Sequence, residues 1–193
     1  MSHFTVGVIT KEKVKSGWEL EELMAPFSET DETYFEPYMR YTRTEAIQYA
    51  REMWDEAEGK TDDELADWAV EDTGYEVDSE GNFIYYSNPN AEWDWWSLGG
   101  RWDNMLLNKH TKKYSNSEKL SNLDWKEMSK DHPFETYALL TPDGNWLTSG
   151  SMGWFGISTA TQEGRDEWSE SFRKTLQPYL QEGYYITIVD CHI

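Results

Sequence analysis

Three groups of side chains in this sequence can recognise or react. The densest is Trp93-Asp94-Trp95-Trp96-Ser97-Leu98-Gly99-Gly100-Arg101-Trp102, which holds four of the chain's 11 tryptophans. Indole faces stack on flat ligands, and a guanidinium forks onto anionic oxygens. A Gly-Gly pair lets the backbone approach a partner closely. Gly150-Ser151-Met152-Gly153-Trp154-Phe155-Gly156 repeats the glycine-and-indole theme, with Met152 and Trp154 as adaptable apolar walls. Trp93, Trp95, Trp96, Gly99, Gly100, Arg101, Trp102, Met152 and Trp154 are therefore expected to line one pocket for a nucleotide-like small molecule. The same residues also admit a structural reading. Trp93 and Trp95 alternate like one face of a core strand, Gly99-Gly100 reads as a turn, and Asp94 or Asp103 would pair with Arg101.

The second group sits at the two ends of the chain. His3, Asp190, Cys191 and His192 include a thiol, imidazoles and a carboxylate, the components of nucleophilic catalysis or of a zinc site. Residues 190–192 are consecutive on an expected strand. Asp190 and His192 then face one side and Cys191 the other, so the set does not converge without a bulge. No catalytic residue, metal or cofactor is assigned on this basis. A Cys191- or His192-dependent enzyme stays as an alternative to a non-enzymatic binding protein. No Walker, dinucleotide-binding or His-Glu-x-x-His pattern is present.

The third group is acidic. The chain has a net charge of −20, from 37 acidic and 17 basic residues. Within residues 19–80 there are 21 Asp and Glu against Arg40, Arg43, Arg51 and Lys60. Such a surface repels nucleic acid and anionic membrane and attracts basic protein. Asp62, Asp63, Asp67, Glu71 and Asp72 are the candidate partner-binding residues of an alternative function, an acidic mimic that covers a basic surface of a host protein. Lys109, Lys112, Lys113, Lys119, Lys126 and Lys130 form the one basic neighbourhood, but aromatic residues are not interleaved as a nucleic-acid platform requires.

The elements that would hold these groups follow from pattern. Phe4–Ile9 and Tyr184–Ile193 are β-branched and aromatic runs that predict strands. Residues 136–148 predict a hairpin around Pro142-Asp143-Gly144-Asn145, and a short helix spans Trp18–Met24 before Pro26. Trp168, Phe172, Leu176 and Leu180 recur every four residues and predict a helix that stops at Gly183. The resulting order is strand, helix, strand, strand, helix, strand. It predicts an α+β protein with a ferredoxin-like split-βαβ core over 1–27 and 134–193, in which the first and last strands pair antiparallel and His3 nears His192. Residues 28–133 are read as a large, acidic, mostly helical insertion within a single domain, 1–193. Capping boxes at Thr42–Glu45 and Thr61–Glu64 open its helices, over 43–58 and 62–72, and residues 75–86 predict a hairpin. The first of these helices is expected to turn Ala46, Ala50, Met53 and Trp54 inward. Residues 108–123, polar and rich in Lys, Ser and Asn, predict a loop. The single cysteine excludes an internal disulfide, and no apolar run reaches the ~20 residues of a membrane span. The N-terminus lacks the pattern of a signal peptide, so a cytoplasmic protein is expected.

Met1-Ser2-His3-Phe4-Thr5-Val6, Leu23–Glu29, Leu98-Gly99-Gly100-Arg101-Trp102, Met152-Gly153-Trp154-Phe155-Gly156 and Val189-Asp190-Cys191-His192-Ile193 together resemble an uncharacterised family encoded by tailed phages and prophages. The resemblance implies a viral origin and a bacterial host cytoplasm. Small phage accessory proteins often counter host defence, so interference with a host process, antiviral defence above all, is the expected role on that general ground. It brings no established activity and transfers no catalytic residue.

Overall fold

The computed structural model describes residues 2–148, 150 and 161–193. In chain order the elements are β1 (His3–Thr10), α1 (Glu21–Met24), β2 (Glu36–Tyr41), α2 (Arg43–Met53), α3 (Asp62–Thr73), β3 (Glu76–Val77), β4 (Phe83–Ser87) and β5 (Trp95–Leu98). There follow β6 (Leu106–Leu107), β7 (Tyr114–Ser115), β8 (Ser117–Lys119), α4 (Trp125–Met128), β9 (Ala138–Leu140), β10 (Trp146–Thr148), α5 (Gln162–Glu182) and β11 (Tyr185–His192). The chain is mixed α+β and forms two compact units, residues 1–30 with 90–193, and residues 31–89. The stretch 28–133, expected as one insertion, is divided between them.

In the larger unit one sheet runs β10-β9-β1-β11-β5, and β8 pairs with β11 beside β5. The two β-branched end segments pair antiparallel over their whole length, from His3 opposite His192 to Thr10 opposite Tyr185. Strand β9 lies parallel to β1, and β10 returns at the edge. This order does not confirm the ferredoxin-like split-βαβ core, where the second hairpin strand lies against the first strand of the chain. Here the first hairpin strand, β9, takes that place, and no strand is inserted between it and β1. The alternation of element types is the same for both orders, so pattern alone does not separate them.

Both faces of the sheet are apolar. Phe4, Val6, Val8, Ala138, Leu140, Val189 and Cys191 meet Leu20, Met24 and Phe27 on one face. Ile9, Leu139, Ile186 and Ile188 meet Trp168, Phe172 and Leu176 of α5 on the other. Along β1 and β11 successive residues alternate between these faces, as the pleat requires. The Trp168 indole N–H donates to the carbonyl of Thr136 at 2.9 Å, so burial leaves no orphan donor. Gly183, with φ of 82°, ends α5 as expected.

Residues 108–123 are not a loop. They contain β7 and β8 and a 3-10 turn at Leu120–Asn122. Strand β8 is polar because its ladder with β11 uses backbone groups, while its buried side chains find partners: Ser117 Oγ accepts from the Thr187 hydroxyl at 2.8 Å and from the Val14 N–H at 3.2 Å. Burial works against the charge of Glu118, yet bonds from the Asn108 amide, the Lys119 N–H and the Asn122 amide hold its carboxyl below the ordinary value.

Residues 28–133, expected to be mostly helical, hold strands as well as helices, in the smaller unit too. A three-stranded sheet, β2-β4-β3, accompanies α2 and α3, and both capping boxes form. Ala46, Ala50, Leu65, Ala69 and Phe83 make its core, and Trp54 stacks on Trp68 at 5.5 Å. Met53, expected on the inner face of α2, is 60% exposed because α2 ends there and Trp54 turns in instead.

Candidate functional site

Strand register builds the site. His3, His192 and Trp95 occupy one cross-strand row, since His3 faces His192 on β11 and His192 faces Trp95 on β5. The next row on the same face is Thr5, Asp190 and Ser97. Two Asp–His pairs result. His3 Nδ1 lies 2.8 Å from Asp190 Oδ1, and His192 Nδ1 lies 2.6 Å from Asp94 Oδ1. The imidazole centroids are 5.0 Å apart, edge to face. Trp95 stacks on His192 at 5.2 Å with 14° between the planes, and its edge of contact continues to His3.

An ionised carboxylate only accepts, so each Nδ1 carries a proton, and Nε2 is the atom of each ring left to take up or give a proton. The pairs differ in access. His192 is 5% exposed, and its Nε2 is buried without a partner among the described residues. A buried, unpaired imidazole nitrogen costs ~1–3 kcal/mol. The side chain of His3 is slightly open, that of Asp94 is one-third exposed and Trp95 is 44% exposed. Solvent therefore borders the cluster on the Trp95 and Asp94 side, while His192 Nε2 itself is covered.

Asp190 is the hub. It is almost fully buried, its Oδ1 takes the His3 bond and its Oδ2 accepts the Arg101 backbone N–H at 2.9 Å. That N–H belongs to the 3-10 turn Gly100–Trp102, which both glycines make possible. Gly99 and Gly100 have φ of 70° and 53°, and a Cβ on Gly100 would lie 2.3 Å from Asp190 Oδ2. The close backbone approach foreseen for Gly99-Gly100 is thus made to Asp190.

The indoles do not wall a common pocket. Along β5 the pleat sends Trp95 to the histidine face, and Trp93 and Trp96 pack into the core on the opposite face. Trp102 packs, partly buried, against the core under α5. Arg101 is exposed, and its guanidinium has no ion pair among the described residues; Asp94 holds His192, while Asp103 holds Asn116 and Asn104. Met152 and Trp154 lie outside the described residues. Cys191 points away from the histidines, as the strand alternation predicts. Burial, then the charges of Asp190 and Glu92, push its thiol well up, so the nucleophilic thiolate is disfavoured. Among the described residues no group of three or more His, Cys, Asp or Glu could hold a metal.

No protein-family model, curated protein or solved structure matches the chain. The site must be read from its own chemistry.

In the smaller unit Asp62, Asp63, Asp67, Glu71 and Asp72 are all exposed on α3. Three of them have local partners. Asp62 pairs with Arg51 at 2.7 Å, Asp63 pairs with Arg43, and Asp72 accepts from the Tyr49 hydroxyl. Asp67 and Glu71, one turn apart, face no cation among the described residues. No described helix is long and apolar enough to cross a membrane.

Asp94 and Trp95 are the site residues that pattern reasoning assigned to other tasks. Their meeting with His192 depends on the β5–β11 ladder, for which a four-residue Trp-rich strand carries no sequence signal.

Proposed function

We propose that this chain acts on a nucleotide-like small molecule at the His3–His192 pair, with proton transfer as its chemistry. The single observation that supports this reading is a pair of adjacent imidazoles, each oriented by its own aspartate, one with a buried and unpartnered Nε2. Trp93 Nε1 and Trp146 Nε1 are also buried without a partner; what sets the His192 atom apart is that it is a basic nitrogen beside a second oriented imidazole. The exposed face of Trp95 offers a stacking platform for a flat ring, which takes over the role first expected of several indoles. In hydrolysis of a phosphoester, water bonds to phosphorus and passes its proton to one neutral Nε2. The other imidazole, already protonated, gives its proton to the departing ester oxygen, so the protons balance. Asp190 and Asp94 hold the two rings in the required tautomer. Of the five segments that carry the likeness to a phage family, three contribute to this cluster or to its support: 1–6 through His3, 98–102 through the turn at Gly99–Arg101, and 189–193 through Asp190 and His192. We take the chain to be a phage-encoded factor that interferes with host defence in the bacterial cytoplasm.

The test is incubation of the chain with a panel of ribonucleotides and short oligoribonucleotides, followed by phosphorus NMR and native mass spectrometry. We expect one compound to bind and to be converted. Arg101→Ala should leave both intact, because its backbone N–H and not its guanidinium serves the site. Binding without conversion would return the chain to a non-enzymatic binder. Loss of binding in Arg101→Ala would restore the guanidinium as an anion clamp.

A second reading is favoured by Asp67 and Glu71, which keep an unpaired negative strip on α3. There the smaller unit docks on a basic host protein. Association should then weaken steeply with salt and in the double variant Asp67→Asn, Glu71→Gln, which leaves the Arg43 and Arg51 pairs in place. A partner that binds this variant as tightly as the parent chain would overturn the reading.

A further inference from the structure

Apart from the histidines and their partners, α4 and α5 line a cleft of about 450 Å³. Its walls are Trp125, Lys126 and Ser129 from α4 and the region just after it, and Arg173, Leu176, Gln177 and Leu180 from α5. On α5 these are positions i, i+3, i+4 and i+7, one face of the helix. That stripe is divided. Leu176 and Leu180, with the Trp125 ring, make an apolar floor, and Leu176 is 1% exposed. Arg173 and Lys126 stand exposed, and neither has an ion pair among the described residues. None of the seven lining residues is acidic.

In a chain of net charge −20, two cations on the rim of an apolar floor, with no acid in the lining, make this cleft locally basic. Beside Lys126, Glu127 faces Lys130 and Asp124 pairs with Lys112; on α5, Glu170 stands one turn before Arg173 without pairing with it among the described residues. The volume falls in the range of small-ligand sites, ~300–1,000 Å³. We infer that the cleft binds a small amphipathic carboxylate, its acyl or aromatic body on Trp125, Leu176 and Leu180 and its anionic end between Lys126 and Arg173. An apolar body explains the floor, and a single anionic end explains the cations. A peptide helix fits less well. Its anchors span two turns, and α4, of four residues, offers a wall only ~6 Å long. This site is independent of the histidine pair.

The probes are octanoate, decanoate and decanol, titrated calorimetrically into the full chain. Saturable decanoate binding is expected, with affinity rising about four-fold per methylene from octanoate to decanoate. The double variant Lys126→Glu, Arg173→Glu changes exposed residues and should fold as the parent does. It should bind decanoate at least ten-fold more weakly while its affinity for decanol is unchanged. In NMR, decanoate should shift the Trp125 indole and the Leu176 and Leu180 methyls. No saturable decanoate binding, binding unaffected by the double variant, or shifts confined to other residues would each overturn the assignment. So would an acidic amphipathic peptide that displaces decanoate and binds more tightly, which would make the cleft a protein-docking groove.

Discussion

His192→Phe should abolish the chemistry of the site while leaving the fold as stable as before. The ring keeps its place in the stack with Trp95 and against His3, because phenyl and imidazole are both flat and of similar size. What disappears is the proton-accepting Nε2 and the bond to Asp94. Removing a positioned acid or base typically costs ~10²–10⁴-fold in rate. The stability balance is the informative part. The substitution loses one hydrogen bond to a carboxylate that is one-third exposed and can turn to water. It also removes a buried nitrogen that had no partner. These terms oppose each other at about 1–3 kcal/mol apiece, so the net change in unfolding free energy should stay within ~1 kcal/mol. Urea denaturation beside turnover of the compound identified in the ribonucleotide panel provides the check. A structural histidine would give the reverse result, a large loss of stability with turnover retained. Asp94→Asn is the companion variant. Its amide can present either an acceptor or a donor to Nδ1, so the ring tautomer is no longer fixed, and turnover should fall while binding persists.

Which parts of this site were legible depended on the type of signal. The terminal strands announced themselves through β-branched runs, and an eight-residue alternation fixes which side chains share a face. That was enough to bring His3 to Asp190 and His192 and to set Cys191 apart. The Trp-rich segment was legible as special but not as what it is. Its composition suggested a many-walled pocket, whereas the pleat of β5 divides its rings between two faces, and only Trp95 reaches the histidines. The polar stretch 108–123 shows the opposite failure. Loop-like composition concealed β8, whose pairing with β11 needs only backbone donors and acceptors. In the smaller unit, α2 and α3 were marked by their capping boxes. Strand β2 was not marked, since Tyr38 and Met39 are both exposed and no period-two pattern forms. The order of the main sheet was beyond reach for a further reason. Whether β9 or β10 lies beside β1 depends on crossover geometry, and the element sequence is common to both arrangements.

Gly100→Ala should be the most destabilising single substitution at the site, although it removes no contact. The added Cβ would sit 2.3 Å from Asp190 Oδ2, 2.4 Å from Asp190 Cβ and 2.7 Å from Ser97 Oγ. Asp190 cannot yield easily. It lies on β11, which is paired along both edges, its two oxygens are committed to His3 and to the Arg101 N–H, and almost none of it reaches solvent. The backbone cannot yield either, because φ of 53° is itself a conformation that costs an L-residue ~1–2 kcal/mol. Overpacking in a buried setting adds ~1–3 kcal/mol. The two effects together predict a loss of roughly 2–5 kcal/mol, read as a fall in the urea midpoint at unchanged slope. The same displacement should weaken function through position. Pushing Asp190 aside releases His3 Nδ1, and with it the orientation of the ring that faces His192. A Gly100→Ala chain as stable as its parent would mean that the 3-10 turn at 100–102 is not pressed against Asp190. The support assigned here to Gly99, Gly100 and the Arg101 N–H would then have to come from another part of the chain.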